Sequence, residues 1–500
     1  SPRMTDNSLQ VGHHQWSEAE HSSTSRFSTD PFRSPFSRAM TVVAAAILMA
    51  SLGAIIWFSA TLPKLEQFDE PIRALELMVE RSMDAREGLS RSPFWQQQIA
   101  QWTLPSAEKE RLQAIEWYQE LVQTSEDPLA KLQLAILQGE SGQEAHALAA
   151  SREWRALPPP MPLYGEWIET AYGRHVIDRD RTLELQASLA ETLPAGWFYN
   201  RLASRLAQRT NDQVLLSTID RQIQSQGRRL QERSNRIFSV ELACLLLGSI
   251  VLVQAIFVRS RQADVMRLHV PGVPPPWPGR IGTAVLLRGG ALGAVITTAF
   301  LTFPSGEQTS LRALAIPLAN LPLLALAYVH LLRPAGLDFW SGFGLRIERA
   351  QLGRLIGAAL AAIAAGLWGE WIIGCAIDWW GINSHWTEWF DANLVWTSGS
   401  MLAVSLLEYV VFAPIFEEIA FRGLLYAILR RRLSFAPAAL LSASVFALAH
   451  GYGLIGFISV LWSGFLWAWV YEKTGSLIPG MIAHSMNNLL VCLTVMALLR

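Results

Sequence analysis

The 500-residue chain has little charge, little cysteine and no excess of either sign. Charged residues make up 17%, against about 25% in an average soluble protein. A string of ordinary water-soluble domains is thereby excluded. The formal net charge is −1, so there is no basic footprint for nucleic acid. The three cysteines, Cys244, Cys375 and Cys492, each stand in a strongly apolar stretch. Neither a disulfide framework nor a cysteine-ligated zinc site is readable from them. What the chain does have is apolar surface: 51% hydrophobic residues, including 20 Trp. That excludes a disordered or collagen-like chain and marks a membrane protein.

The apolar residues fall in blocks. Residues 1–40 are polar, rich in Ser and His, and read as a disordered tail. The run TVVAAAILMASLGAIIWFSA, 41–60, is long enough to cross a hydrocarbon core of about 30 Å. Phe58 stands where a small residue should precede a cut after Ala60, so the run reads as an uncleaved anchor. From 62 to 237 charge returns with helical periodicity. PSAEKERLQAIEWYQELVQT, from Pro105, is an amphipathic helix, and the segment from Pro128 reads as helix, Gly-containing turn, helix. LPPPMP, 157–162, interrupts the pattern, and a last long helix from about Val214 carries Arg228, Arg229, Arg233 and Arg236 to the membrane. Further spans are expected at 238–258, 281–303, 311–332, 352–373, 394–416, 436–450, 454–470 and 477–499.

The loops sort by charge. Arg259, Arg261 and Arg267, then Arg333, Arg346, Arg349 and Arg354, then Arg430, Arg431 and Arg432 form basic clusters, whereas DWWGINSHWTEWFDAN, 378–393, is acidic and Trp-rich. The bias of basic residues toward the inner side puts the clusters inside and the acidic loop outside. The N-terminus is then inside and 62–237 outside. The expected fold is all-α: a polytopic membrane helix bundle with a single-span anchor (41–61), a helical extramembrane domain (62–237), membrane helices with a linker (238–350) and a C-terminal core (351–500). Pro414 is expected to break the long 394–432 stretch, leaving eight or nine spans.

Ionisable residues at membrane depth are costly and point to function. They concentrate in three places: Glu417, Glu418 and Arg422 in FEEIAFRG; Phe446 and His450 in FALAHG; His484 and Asn488 in HSMNN. Glu418 and Arg422 are four apart with the acid first, the favourable order for a helical ion pair. Glu417 points elsewhere and is left free, and a carboxylate freed in a dry site suits a general base. His484 and Asn488 share a face. Counting from the loop at 432–435 puts Glu417 and His450 both about 22 Å deep. Counting from Gly475 puts His484 about 13 Å and Asn488 about 20 Å deep. Phe446 reads as a packing residue.

The ordered set E-E-x-x-x-R-G, F-x-x-x-H, H-x-x-x-N resembles the CPBP family, the CAAX-processing and bacteriocin-processing intramembrane proteases often called the Abi family, over roughly 352–499. The resemblance implies that Glu417 activates water and that His450, His484 and Asn488 bind a metal or stabilise an oxyanion. The metal reading is a zinc ion on His450 and His484, which Glu417 or Glu418 must join, since zinc usually takes at least three protein ligands. A metal-free variant uses the imidazoles and the Asn488 amide directly. The implied partners are a protein or peptide substrate in or at the membrane and the bilayer itself, with 62–237 open to a protein partner. The implied setting is a bacterial inner membrane, multi-pass. A second reading is a catalytically silent scaffold or immunity-type protein that binds through 62–237.

Overall fold

The computed structural model describes residues 36–174, 176, 178–258, 266–268, 272–302 and 309–500. Residues 1–35 of the polar tail, and Arg259 and Arg261 of the first basic cluster, lie outside the described residues. Among the described residues every regular element is helical, as the blocks of hydropathy imply.

Helix α1 (Arg38–Thr61) is the anchor. Its Ser37 hydroxyl accepts from the Met40 N–H, an N-cap that sets where the helix starts. It then enters the bundle. Arg288 donates to the Ser37 carbonyl at 2.8 Å, and Leu48 lies against Gly290.

The extramembrane layer comprises α2 (Pro71–Ser90), α3 (Phe94–Thr103), α4 (Ala107–Thr124), α5 (Pro128–Glu140), α6 (Glu144–Trp154), α7 (Met161–Tyr172), α8 (Arg179–Thr192) and α9 (Trp197–Thr210). Local signals set their boundaries. Ser106 caps α4, and Asp127 caps α5 with Pro128 at its first position. Asn211, at φ 58°, closes α9 in the left-handed conformation. One apolar core joins these helices apart from α3, with Tyr118, Trp167 and Phe198 almost wholly buried. That core also takes in Trp386 and Phe390 from the acidic loop, Val395 just after it and Leu499 from the last helix. Polar contacts fasten the same joint: His385 Nε2 lies 2.9 Å from Glu120, and Lys109 Nζ lies 2.6 Å from Asp378.

Two carboxylates lie inside this layer. Burial pushes the Glu80 carboxyl up to about 8, helped by the neighbouring Glu76, and Asp84 up to about 6. Both are raised above their unfolded values, so the stability they confer is full at low pH and falls as the pH climbs through those values. Thermal unfolding should therefore show this layer more stable at pH 5 than at pH 8. Glu80→Gln should flatten most of that slope; an unchanged slope would put its source elsewhere.

Helix α10 (Gln213–Val258) runs without a break from the extramembrane layer into the membrane region. The bundle continues with α11 (Gly279–Thr302), α12 (Thr309–Ala327), α13 (Leu352–Trp380), α14 (Gly399–Arg430), α15 (Phe435–Ala449), α16 (Leu454–Thr474) and α17 (Ile478–Leu499). Eight of the described helices are long and apolar enough to cross a membrane, and α15 is a shorter apolar helix. At 15 residues α15 rises about 22 Å, so the turn that follows it stops short of the far surface of a 30 Å core. Gly451, at φ 66°, makes this turn, and Ile55 and Ser59 of α1 cover it. Irregular backbone at such depth is tolerated where protein encloses it.

Helix α14 departs from the expectation of a break at Pro414. It starts at Gly399 rather than near 394 and continues to Arg430. The chain passes the proline by widening into π-helix at Glu408–Phe412, with the Ala413 N–H bonded to the Glu408 carbonyl five residues back. The next rung of that ladder would need an N–H from Pro414, which has none. The Asn488 side chain supplies it from α17, donating to the Tyr409 carbonyl at 2.9 Å. A second π segment, Glu418–Tyr426, follows after a short α-helical stretch, Ala413–Glu417.

The extramembrane layer and Arg430–Arg432 lie at opposite ends of α14. In a background with the native cysteines changed to Ser, Glu108→Cys should react with an impermeant thiol reagent added outside intact cells, and Arg432→Cys should not. The reverse pattern would invert the topology.

Candidate active site

The second π segment begins at the residue after Glu417. It places Glu418 and Arg422, four apart, with Arg422 Nη1 at 2.8 Å from Glu418 Oε1. Both side chains are wholly buried. Burying such a pair is expensive, and only further polar partners make it tolerable. Here the Arg422 guanidinium lies 4.4 Å from the Phe446 ring centroid and 5.0 Å from that of Trp467, a cation held between two aromatic faces. Its approach requires Gly464: a Cβ there would lie 2.8 Å from Arg422 Nη2.

Glu418 Oε1 also meets His484 Nδ1 at 3.2 Å. A carboxylate paired with arginine can only accept, so Nδ1 carries the proton and Nε2 is bare. That bare Nε2 faces Glu417, 3.7 Å from Oε2. Trp467 stacks on the His484 ring at 3.8 Å between centroids and 18° between planes. Glu417 differs from Glu418 in being open: its side chain is 30% exposed against none, and no hydrogen bond to a described residue holds it, although the Oε2 atoms of both carboxylates are buried without a partner.

His450 stands at the end of α15. Its Nδ1 lies 2.7 Å from the Phe446 carbonyl, which fixes the proton there and again leaves Nε2 bare. The Phe446 ring lies between the two imidazoles, 4.6 Å from His450 and 5.9 Å from His484.

The structure thus brings Glu417, Glu418, Arg422, Phe446, His450 and His484 into one cluster. Glu417 and His450 make no ion-pair contact with each other. Asn488 is directed away, its amide held by the Tyr409 carbonyl about two turns along α14 from Glu417. Phe446 packs against both Arg422 and His450. Trp467 was not legible in the sequence: it sits in an unbroken apolar run, and only the tertiary stack reveals it. Glu370, another acid at membrane depth, accepts from Ser459 at 2.9 Å and ties α13 to α16.

A zinc ion on His450 and His484 finds only part of what it needs. Each imidazole has its Nδ1–H anchored, as ligating histidines usually do. However, among the described residues no three His, Cys, Asp or Glu side chains lie close enough to share an ion. The described arrangement does not fit a three-ligand centre.

The position of the Asn488 amide has a measurable consequence. Asn488→Ala removes the amide's hydrogen bond to the Tyr409 carbonyl, and such a bond contributes about 0.5–1.5 kcal/mol. Thermal unfolding should register that loss, with turnover per folded molecule within about tenfold of wild type. A fall of about a hundredfold or more at unchanged stability would instead give the amide an oxyanion role.

No curated protein and no solved structure matches the chain. Residues 399–490 match a family model, that of the type II CAAX prenyl endopeptidase Rce1-like proteins. The match is narrower than the 352–499 of the motif resemblance, begins at the first residue of α14, and contains all seven motif residues. The chain is an integral, multi-pass membrane protein whose α14–α17 segment carries an Rce1-like endopeptidase match.

Proposed function

We propose that the chain is an intramembrane endopeptidase in which Glu417 is the general base. One observation carries this reading: of the two adjacent carboxylates, Glu418 is wholly buried with its Oε1 held by Arg422 and His484, while the side chain of Glu417 is 30% exposed and no hydrogen bond to a described residue holds it. Glu417 takes a proton from a water molecule, and the hydroxide adds to the carbonyl carbon of the peptide. The proton passes to the departing amide nitrogen as the C–N bond breaks, leaving a carboxylic acid and an amine. His484 Nε2, beside Glu417, shares the proton in transit. Glu418 and Arg422 act as positioning residues that fix the His484 tautomer, and the second imidazole, on His450, lines the same cluster. The substrate is a protein or peptide reached from the membrane.

The test is a comparison of membrane proteomes from cells expressing wild type or Glu417→Gln. Peptides with new termini should be present with wild type and missing with the variant. Identical sets of termini would favour the scaffold reading.

A further inference from the structure

Two adjoining cavities lie along α10, the larger against α17 and the smaller against α2, away from the candidate active site. The larger, about 480 Å³, has Arg233, Arg236 and Arg500 at its end near the extramembrane layer, and Val240, Leu490 and Leu493 along its wall. The smaller, about 200 Å³, continues from it past Arg233 and Arg500 to Arg81 and Arg229. No acidic residue lines either cavity.

Three of the cations are uncommitted: Arg229, Arg233 and Arg236 are exposed and form no ion pair or hydrogen bond with any described residue. Arg81 makes no direct ion pair but acts at longer range on the Glu80 and Asp84 carboxylates. Arg500 donates to the Leu394 and Thr397 carbonyls. Arg228, on the same helix but outside both cavities, is paired with Glu232 at 3.0 Å. Clustered like charges repel one another, and placing them on the side expected to be outer runs against the usual loop bias. An anion among them reverses the sign of that energy. Val240 lies about 10 Å further along α10 than Arg233, toward the middle of the membrane. The apolar wall therefore leads away from the cations into the depth of the bilayer. That order, cations at the interface and a greasy channel below, matches an amphiphile with a negative head.

We propose that these cavities bind an anionic phospholipid, with its phosphate-bearing headgroup among Arg81, Arg229, Arg233 and Arg236 and an acyl chain along the Val240–Leu490–Leu493 wall. Charge complementarity selects the head, and continuity with the spans selects a lipid over a soluble anion.

The test uses the full chain reconstituted in mixed phosphatidylcholine and phosphatidylglycerol, re-extracted in detergent, with retained lipid quantified by mass spectrometry. Wild type should retain phosphatidylglycerol in preference. Two interfacial arginines are together worth about thirtyfold in affinity for anionic lipid, so R233Q/R236Q should lose a preference of about that size. R228Q should behave as wild type. V240W, which fills the channel and leaves every cation in place, should also lose retention, and millimolar inorganic phosphate should not displace the lipid. If R233Q/R236Q fails to fold, V240W and the phosphate competition decide. Equal retention of both lipids by wild type, retention unaffected by V240W, or displacement by phosphate alone would overturn the proposal.

Discussion

Glu417→Gln should lower kcat by about 10²–10⁴-fold, the usual contribution of a general base, with no loss of thermal stability. Glutamine keeps the shape of the side chain and removes the proton acceptor. It also removes one of two adjacent carboxylates, whose mutual repulsion opposes folding. The measurement pairs a peptide-cleavage assay in reconstituted membranes with an unfolding curve on the same preparation. Cleavage at the wild-type rate would remove Glu417 from the chemistry and leave His484 as the remaining candidate base.

Arg422→Ala should behave in the opposite way, destabilising the fold by about 3–5 kcal/mol, because it leaves Glu418 charged and unpaired in a site with no solvent access. It also empties the space between Phe446 and Trp467, on which His450 and His484 rest. The double substitution Glu418→Gln, Arg422→Met should recover most of that stability. It buries no charge, and the glutamine carbonyl still accepts from His484 Nδ1. If Arg422→Ala proves as stable as wild type, the pair is not what holds α14, α16 and α17 together.

These effects trace how much of the molecule is visible in one sequence. The spans were legible because bilayer thickness imposes a length on apolar runs: 41–60 became Arg38–Thr61, and 477–499 became Ile478–Leu499. The Glu418–Arg422 pair was legible because four-residue spacing keeps two side chains together even in the wider turn of a π-helix. Pro414 misled for a local reason with a distant remedy. Its missing N–H is visible in the sequence, but Asn488, which replaces it, lies 79 residues beyond Tyr409, whose carbonyl it serves. The same holds for the seating of the extramembrane layer. Glu120 and His385 are separated by 265 residues, and neither carries a local signal that they meet. Periodicity reports what a segment buries, not which segment it is buried against.

Helix α17 belongs to both halves of the molecule. In its second turn it carries His484, against Glu417 and Glu418; at its tip Leu499 is set in the core of the extramembrane layer. The two points are about 22 Å apart along one uninterrupted helix. A helix of that length behaves as a strut. The imidazole is therefore clamped in angle and depth by a core lying outside the bilayer, and the precision of the candidate site's geometry is set in part by the folding of a layer that contains none of the motif residues. Loosening that outer core, by an unpaired charge at Glu80 for instance, slackens the far end of the strut on which His484 is mounted.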